Sequence, residues 1–233
     1  KACLQNDYQI LTAKDGARGV KLASEKMPDI IISDVMMPDK NGYEVCHLLK
    51  GDVRTNHIPI ILLTAKSDQN SKIKGLESGA DAFLTKPFNK EELKIRLGQL
   101  IELRRKLRAQ FSSQKVNWTS FSQKKAESPS EIFLKQLLIV IDKNMDNENF
   151  GLVHLCREIG MSRSQLFRKI KAITGKSTTQ FIRSVKLQKA KELLETTDLT
   201  IAQITYKTGF KSQAHFSGVF KEEFGIVPNA TRK

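Results

Sequence analysis

The first hundred residues alternate short apolar runs with longer amphipathic stretches. The runs at residues 30–34 and 58–64 have little polar interruption, which is typical of strands covered on both faces. The predicted strands span residues 8–13, 30–34, 58–64 and 82–85, and the predicted helices span residues 17–25, 43–50 and 69–78 and a longer stretch that begins after Asn89. Strands and helices that alternate in this way predict a parallel, doubly wound α/β sheet.

From Ser128 onwards, the spacing of apolar residues indicates helices alone. Residues 152–175 predict a helix, a glycine turn and a second helix whose N-terminus Ser162 caps. Residues 201–225 repeat this pattern at an offset of 49 positions. Since two helices joined by a short glycine turn form a helix-turn-helix, the sequence predicts two such units. The helix between them, at about residues 177–196, should be about 30 Å long, close to the roughly 34 Å between successive major grooves of DNA.

Residues 110–130 lose the periodic pattern and are rich in Ser, Gln and Lys. We interpret them as a linker in which Trp118 is isolated from other apolar residues, although a further helix followed by a loop is an alternative. The predicted domains are an α/β domain at residues 1–109, a linker at residues 110–130 and an all-α domain at residues 131–233.

The positive charge of the chain is concentrated in its second half. The net charge is +14, but residues 1–100 carry 15 Lys and Arg against 13 Asp and Glu, whereas residues 131–233 carry 17 against 10. No acidic residue lies between Glu158 and Glu192, where nine basic residues occur. Solvated surfaces usually mix both signs, so we expect a polyanionic partner, double-stranded DNA first.

The cysteine content and the hydropathy of the sequence indicate the compartment in which the protein is expected to work. The three cysteines are far apart and form no CxxC pair, so neither a disulfide framework nor a zinc site is predicted. The apolar runs fall far short of the roughly 20 residues of a membrane-spanning helix. We therefore expect a cytoplasmic protein in which this segment makes no membrane contact.

Three predicted strands of the α/β domain end at polar residues, namely Asp34, Thr64 and Lys86. The carboxyl ends of parallel strands meet at one edge of a sheet, so a carboxylate, a hydroxyl and an ammonium should face one crevice. This set suits phosphoryl transfer, with the carboxylate as acceptor and the other two groups contacting phosphoryl oxygens. Each residue alone also has a plainer explanation, since an Asp can cap a turn, a Thr suits a strand and a Lys can form a salt bridge.

Residues 8–108 resemble the receiver domain of bacterial response regulators, on the strength of the motifs ISDVMMPDKNG, PIILLTA and GADAFLTKPF. The resemblance implies a flavodoxin-like parallel sheet of five strands in the order 2-1-3-4-5. It also implies that Asp34 is the phospho-acceptor, that Thr64 and Lys86 bind the phosphoryl group, and that Phe83 is an aromatic switch.

The same resemblance implies a Mg²⁺ ion, held in part by Asp34 and by the backbone carbonyl of Met36, and a cis peptide bond before Pro87. The family's first strand ends in an acidic pair that completes the Mg²⁺ site, and this sequence begins after that pair. Asp7 cannot replace it, because Asp7 precedes the predicted edge strand. We therefore expect a fragment whose receiver lacks its first strand and whose Mg²⁺ site is incomplete.

Residues 131–233 resemble the AraC-type DNA-binding domain, a seven-helix module with two helix-turn-helix units, through the motifs GMSRSQLFRKIKAITGKS, FIRSVKLQKAKELL and IAQITYKTGFKSQAHFSGVFKEEFGIVP. Leu166 and Ile170 should be core residues of the first recognition helix. The predicted DNA-binding residues are Arg163, Ser164, Phe167, Arg168, Lys169 and Lys171 in the first unit and Lys211, Gln213, His215 and Ser217 in the second. Among these, Arg168 is the best candidate for a guanine contact, whereas Arg163 and Lys169 should contact phosphates.

Two departures and two alternatives concern this helical domain. Gly218 stands where the family commonly carries a basic residue, and PNATRK replaces the usual aromatic-containing ending. The second helix-turn-helix is therefore expected to read fewer bases or to contact mostly the DNA backbone. Phe167 is alternatively a partly buried core aromatic, and His215 a polar surface residue.

A receiver followed by an AraC-type domain implies a phosphorylation-controlled, sequence-specific transcription regulator of a two-component system, not an enzyme. The chain also resembles the C-terminal part of a hybrid two-component regulator. A histidine kinase or kinase domain would be the phosphodonor, and phosphorylation would favour a homodimer on DNA. The alternatives are a pseudo-receiver that only docks or dimerises, a nonspecific architectural DNA binder, and an aspartyl-phosphate enzyme. Many such enzymes use a DxD motif, and Met36 at its second position argues against the last alternative.

Overall fold

The computed structural model of the chain describes residues 4–65, 77–112, 118, 121 and 128–232. The chain divides into two compact units, residues 1–106 and residues 107–233. Each unit has hydrophobic clusters of its own.

The first unit is built on a parallel sheet, which in the described part of the chain has three strands in the order β1-β2-β3. The strands are β1 (Ile31–Asp34), β2 (Ile60–Thr64) and β3 (Ala82–Thr85), and the helices are α1 (Gly16–Lys26), α2 (Gly42–Gly51) and α3 (Lys90–Ser112), which begins in this unit. The predicted α/β class is confirmed, and these strands correspond to strands 3, 4 and 5 of the order 2-1-3-4-5.

Two expectations for this unit need correction. Residues 8–13, predicted as a strand, form neither strand nor helix. A strand is stabilised by a hydrogen-bonded neighbour, and the strand that would lie beside residues 8–13 in the order 2-1-3-4-5 is not among the described residues. For the same reason β1, which is strand 3 and therefore central in the order 2-1-3-4-5, lies at an edge of the described sheet, and β2 is central. The helix predicted at residues 69–78 falls largely on residues 66–76, outside the described residues.

The central strand β2 separates two hydrophobic clusters. Ile60 and Leu62 belong to the cluster formed with α1 and α2, whereas Ile61 belongs to the cluster formed with β3 and α3. Successive side chains of a strand point to opposite faces, and all three of these residues are fully buried. The prediction that this run is covered on both faces is therefore confirmed.

The second unit consists of helices and the turns between them in its described residues. The helices are α4 (Pro129–Lys143), α5 (Leu152–Ile159), α6 (Arg163–Thr174), α7 (Thr178–Thr196), α8 (Ile201–Lys207), α9 (Gln213–Phe224) and a short 3₁₀ helix (Pro228–Thr231). Ser128 and Ser162 form capping boxes with Glu131 and Gln165 respectively, as a Ser followed three positions later by Glu or Gln predicts. The turns between α5 and α6 and between α8 and α9 contain left-handed glycines, Gly160 (φ 69°) and Gly209 (φ 66°).

Two hydrophobic clusters form the interior of this unit. The first joins α4, α5, α6 and the start of α7, and the second joins the rest of α7 with α8 and α9. Each helix-turn-helix therefore has a core of its own, and α7 contributes to both.

Trp118 lies in the first of these clusters, where it is only 4% exposed. Its ring packs against Phe111, Phe121 and Phe181, with the Phe181 centroid 5.1 Å away. The interpretation of Trp118 as stranded in a linker is therefore wrong, because aromatic residues on both sides of it in the sequence pack with it onto the start of α7. Most of residues 110–130 lies outside the described residues, so the domain boundaries at residues 109 and 131 stay predictions.

Candidate functional site

The carboxyl edge of the sheet brings together the residues predicted to carry its chemistry. Asp34 ends β1, Thr64 ends β2 and Lys86 follows β3. The Lys86 ammonium hydrogen-bonds to the Asp34 carboxylate, and both side chains are partly exposed. Thr64 ends the strand between them, and its backbone carbonyl accepts the backbone N–H of Lys86 at 2.7 Å. The edge therefore presents to solvent a carboxylate with an ammonium beside it.

A tight turn after β1 holds this carboxylate in place. Asp34 Oδ1 accepts a hydrogen bond from the backbone N–H of Met36 at 3.1 Å, so the carboxylate caps its own turn. The Gly42 N–H donates to the carbonyl oxygen of Val35 at 3.0 Å. A β carbon at Gly42 would lie 2.3 Å from the carbonyl oxygen of Asp34, so only glycine fits there.

The structure contains all three parts of the plainer explanation, because Asp34 caps a turn, Thr64 lies in a strand and Lys86 forms an ion pair. The Met36 side chain is 78% exposed, which leaves only its main chain beside Asp34. Phe83 is partly buried against the cluster that contains Val35, and its role as a switch stays a prediction. The Lys86–Pro87 peptide bond is cis, as predicted.

The described residues at this edge do not by themselves fit a Mg²⁺ ion. Mg²⁺ in proteins is usually held by one or two carboxylates, with water and substrate phosphate completing an octahedron. Asp34 supplies one carboxylate, which already accepts hydrogen bonds from Lys86 and from the Met36 N–H. Within the described part of the chain, no group of three His, Cys, Asp or Glu side chains could hold a metal ion. Mg²⁺ binding at Asp34 and Met36 therefore stays a proposal.

The first helix-turn-helix presents one face of α6 to solvent. Arg163, Ser164, Phe167 and Lys171 are exposed, whereas Leu166 and Ile170 are fully buried, as predicted. Phe167 is 44% exposed and does not belong to the buried cluster of this domain, which favours the exposed position, and its DNA contact stays a prediction. Arg168 is half-buried at the border of this face.

The prediction of a phosphate contact for Lys169 is wrong in this structure. Lys169 is fully buried, and its ammonium lies 4.3 Å from the centroid of the Phe133 ring. The sequence contained a signal for this position, because Leu166, Lys169, Ile170 and Ile173 follow the helical spacing of one buried stripe.

The second helix-turn-helix also exposes the residues predicted for it. Lys211, Gln213 and His215 are exposed and Ser217 is half-buried, whereas Phe216 and Phe220 are fully buried. The hydroxyl of Ser212 caps α9 by accepting the His215 N–H at 3.3 Å. His215 thus lies at the surface, next to Phe210, whose ring centroid is 6.0 Å away.

One residue with a place in these sites, Lys186, was missed. The turn at Gly42 follows from the Asn-Gly pair in the sequence, since this pair marks a tight turn. Lys186 had no comparable signal, because a lysine among other basic residues on a helix resembles a surface residue, yet Lys186 is 5% exposed.

Among the helices in the described part of the chain, none combines the length and the apolar character that crossing a membrane requires.

Comparison with protein families assigns both halves of the chain. Residues 1–98 match the model of the response regulator receiver domain, and residues 155–233 match the model of a helix-turn-helix domain of AraC type. The chain therefore carries a response regulator receiver domain of flavodoxin-like fold and an all-α AraC-type DNA-binding domain.

Three relatives match this chain, one of them over nearly its whole length and two over 40% of it. The chain is 42% identical to Histidine kinase P4 of Formosa agariphila over 229 residues, which are 98% of this chain and 17% of that protein. It is 46% identical to Response regulator PleD of Caulobacter vibrioides over 93 residues, 40% of this chain and 20% of PleD. It is 44% identical to the DNA-binding dual master transcriptional regulator RpaA of a Synechocystis strain over 94 residues, 40% of this chain and 39% of RpaA. The chain thus spans less than half the length of each of these relatives.

Proposed function

We propose that the chain is the receiver and DNA-binding part of a two-component transcription regulator in which phosphorylation of Asp34 controls sequence-specific binding to double-stranded DNA. The observation that carries the proposal is the contact between Lys86 and the partly exposed Asp34 carboxylate, in a chain that also has exposed recognition-helix faces. A histidine kinase, in the same polypeptide or separate, supplies the phosphoryl group.

The chemistry is transfer of a phosphoryl group to a carboxylate. An oxygen of Asp34 attacks phosphorus and the bond between phosphorus and one imidazole nitrogen of the donor breaks. The bonding electron pair stays on that nitrogen, and the donor, which carries a proton on its other ring nitrogen, leaves as neutral imidazole. The Lys86 ammonium moves from the carboxylate to the phosphoryl oxygens, and the Thr64 hydroxyl donates to another of them. The modified side chain carries about −1.5 to −2 charge.

This charge change is the proposed input to the switch. A ligand or modification shifts two states only by the difference in its interaction with each of them. Lys86 and Thr64 supply that difference when they follow the phosphoryl oxygens, and Phe83 moves into the space near Thr64. The consequence on this proposal is a homodimer that holds two copies of the DNA-binding domain on neighbouring sites.

The exposed faces of α6 and α9 suit the major groove. Arg168 and Arg163 offer guanidinium forks for guanine or phosphate, and Phe167 offers an apolar ring for the methyl group of thymine. Lys171 and Lys211 contact phosphates, which fix the register of the protein on DNA. Helix α7, with 19 residues, is about 29 Å long, which suits neighbouring major grooves roughly 34 Å apart.

The DNA-binding half is tested by selecting duplexes from a randomised library and comparing the recovered duplex with random DNA at one salt concentration. A specific regulator should prefer the recovered duplex by about 10³ or more. Equal affinity for both would indicate a nonspecific architectural binder.

The phosphorylation half is tested by intact mass after incubation with a small-molecule phosphodonor and Mg²⁺. One phosphoryl group should be added to the chain and none to the Asp34→Asn variant. An adduct that survives Asp34→Asn would place the acceptor elsewhere.

A pseudo-receiver is a second candidate function, because the Asp34 carboxylate at the carboxyl edge of the sheet is already paired with Lys86. In that case Asp34→Asn would change neither DNA affinity nor self-association measured by light scattering.

A further inference from the structure

The two helix-turn-helix units share one long helix but not one core. In α7, Phe181 and Val185 belong to the first cluster, whereas Leu187 and Ala190 belong to the second. Lys186 lies between these positions, at the border of the two cores. Hydrophobic burial is non-directional, so two separate cores do not by themselves fix the angle between the units.

The Lys186 ammonium is buried at this border and bonds to both units. It donates to the backbone carbonyl of Asn147, before α5, at 3.5 Å and to that of Gly209, in the turn of the second unit, at 3.3 Å. Burial lowers the pKa of Lys186, which the charge of Asp146 partly offsets. Burying an amine costs free energy unless its hydrogen bonds are made, so this arrangement depends on both carbonyls.

Gly209 permits this close approach. A β carbon at Gly209 would lie 2.5 Å from the Lys186 Nζ and 2.5 Å from the carbonyl oxygen of Met145. The turn between α8 and α9 of the second helix-turn-helix is therefore packed directly against the segment that precedes α5 of the first helix-turn-helix.

A second polar contact joins the turn after α6 to the recognition helix α9. Lys176, next to the glycine that ends α6, forms an ion pair with Glu223 in the last turn of α9, at 3.3 Å. Both side chains are largely buried, so solvent screens this pair less than an exposed one. Arg183 of α7 lies 3.7 Å from Glu222 beside it.

We propose that Lys186 is a positioning residue that fixes the orientation of the two helix-turn-helix units, with the Lys176–Glu223 pair as a brace, so that the protein accepts one spacing between the halves of its DNA site. The inference rests on the proposed DNA-binding function. The geometry of hydrogen bonds is directional, and these contacts join the segment before α5, the turn between α8 and α9, the turn after α6 and the recognition helix α9.

The test uses the duplex that the wild-type chain recovers from a randomised library, together with versions that carry one base pair more or less between its two halves. One base pair moves the halves by about 3.4 Å and rotates them by about 35°. At constant salt, the wild type should lose about tenfold or more in affinity on either change, which is the size of effect that a mismatched site produces. The Lys186→Met and Glu223→Gln variants should each lose less than about threefold in affinity when one base pair is added or removed.

The two variants and a control separate positioning from charge. Lys189→Met removes the same charge from α7, but the Lys189 ion pair with Glu192 stays within that helix. This control should bind all three duplexes more weakly and keep the tenfold preference. Glu223→Gln removes a negative charge, so electrostatics alone would strengthen binding to every duplex and leave the preference unchanged.

The outcomes are distinguishable. If Glu223→Gln and a folded Lys186→Met, checked by circular dichroism, keep the wild-type preference, the positioning role is wrong. If Lys186→Met does not fold, Glu223→Gln decides the matter alone. If the wild type recovers no duplex, the proposed DNA-binding function fails, and the positioning role fails with it.

Discussion

Gly42 is the residue against which the turn of Asp34 closes, so its size matters more than its flexibility. Gly42→Ala is expected to lower the free energy of unfolding by roughly 1–3 kcal/mol, because the added methyl group would lie 2.3 Å from the Asp34 carbonyl oxygen. Urea unfolding followed by circular dichroism measures the change. Gly98→Ala is the control, since Gly98 lies inside α3 with open space around it and should gain about 0.5–1 kcal/mol. Equal effects at both positions would contradict this packing.

Lys169 and Lys171 are two positions apart on α6, but only Lys171 reaches solvent. Lys171→Met is expected to reduce the slope of log affinity against log salt by about 0.9, the value for one phosphate contact on B-DNA. Lys169→Met should leave that slope unchanged, because the Lys169 ammonium lies over the Phe133 ring. Titrations of labelled DNA at several salt concentrations measure both slopes. A reduced slope for Lys169→Met would show that this side chain leaves the core on binding.

At the scale of helices and strands, the sequence predicts correctly those features that depend on local signals. The capping boxes at Ser128 and Ser162, the glycine turns and the apolar run of β2 all depend on neighbours a few residues away. Residues 8–13 could not be predicted in this way, because a strand depends on a partner that may be distant in sequence. The Asp34–Lys86 contact could be predicted although its residues are 52 positions apart, because the order of parallel strands brings their ends together. No motif or strand order relates Lys186 to Asn147 and Gly209, so its contacts could not be predicted.

Trp118 is an exception to prediction from local signals, because the sequence around it shows no periodicity and yet its ring packs in the helical core. Trp118→Ala is expected to destabilise the second unit by about 3–5 kcal/mol, since it removes the ring that packs on Phe181. Thermal unfolding followed by helical circular dichroism measures the loss. Tyr206→Ala, at an aromatic residue that is 62% exposed on α8, should change stability by less than about 0.5 kcal/mol. Similar losses for both variants would remove Trp118 from the core.

At the scale of the whole molecule, the two units differ in charge as well as in fold. The nearly neutral receiver holds the chemistry of Asp34, and the basic helical unit holds the surfaces for a polyanion. Phosphorylation replaces a carboxylate of charge −1 by a group of about −1.5 to −2, so it adds about one negative charge or less. This is small beside a net charge of +14, so general electrostatics cannot account for control of DNA binding. Control on the proposed mechanism therefore requires a local rearrangement, and Lys86 is the residue that must move.

Lys86→Met tests this requirement in the full chain. The unphosphorylated variant should bind the recovered duplex within about twofold of the wild type, because surface substitutions away from an interface usually have effects within 0.5 kcal/mol. Treatment with a phosphodonor should raise the DNA affinity of the wild type and leave that of Lys86→Met and Asp34→Asn unchanged. Fluorescence anisotropy of labelled duplex, with intact mass recorded on the same samples, measures affinity and phosphorylation together. If phosphorylated Lys86→Met gains affinity as the wild type does, the ammonium only neutralises Asp34 and takes no part in the switch.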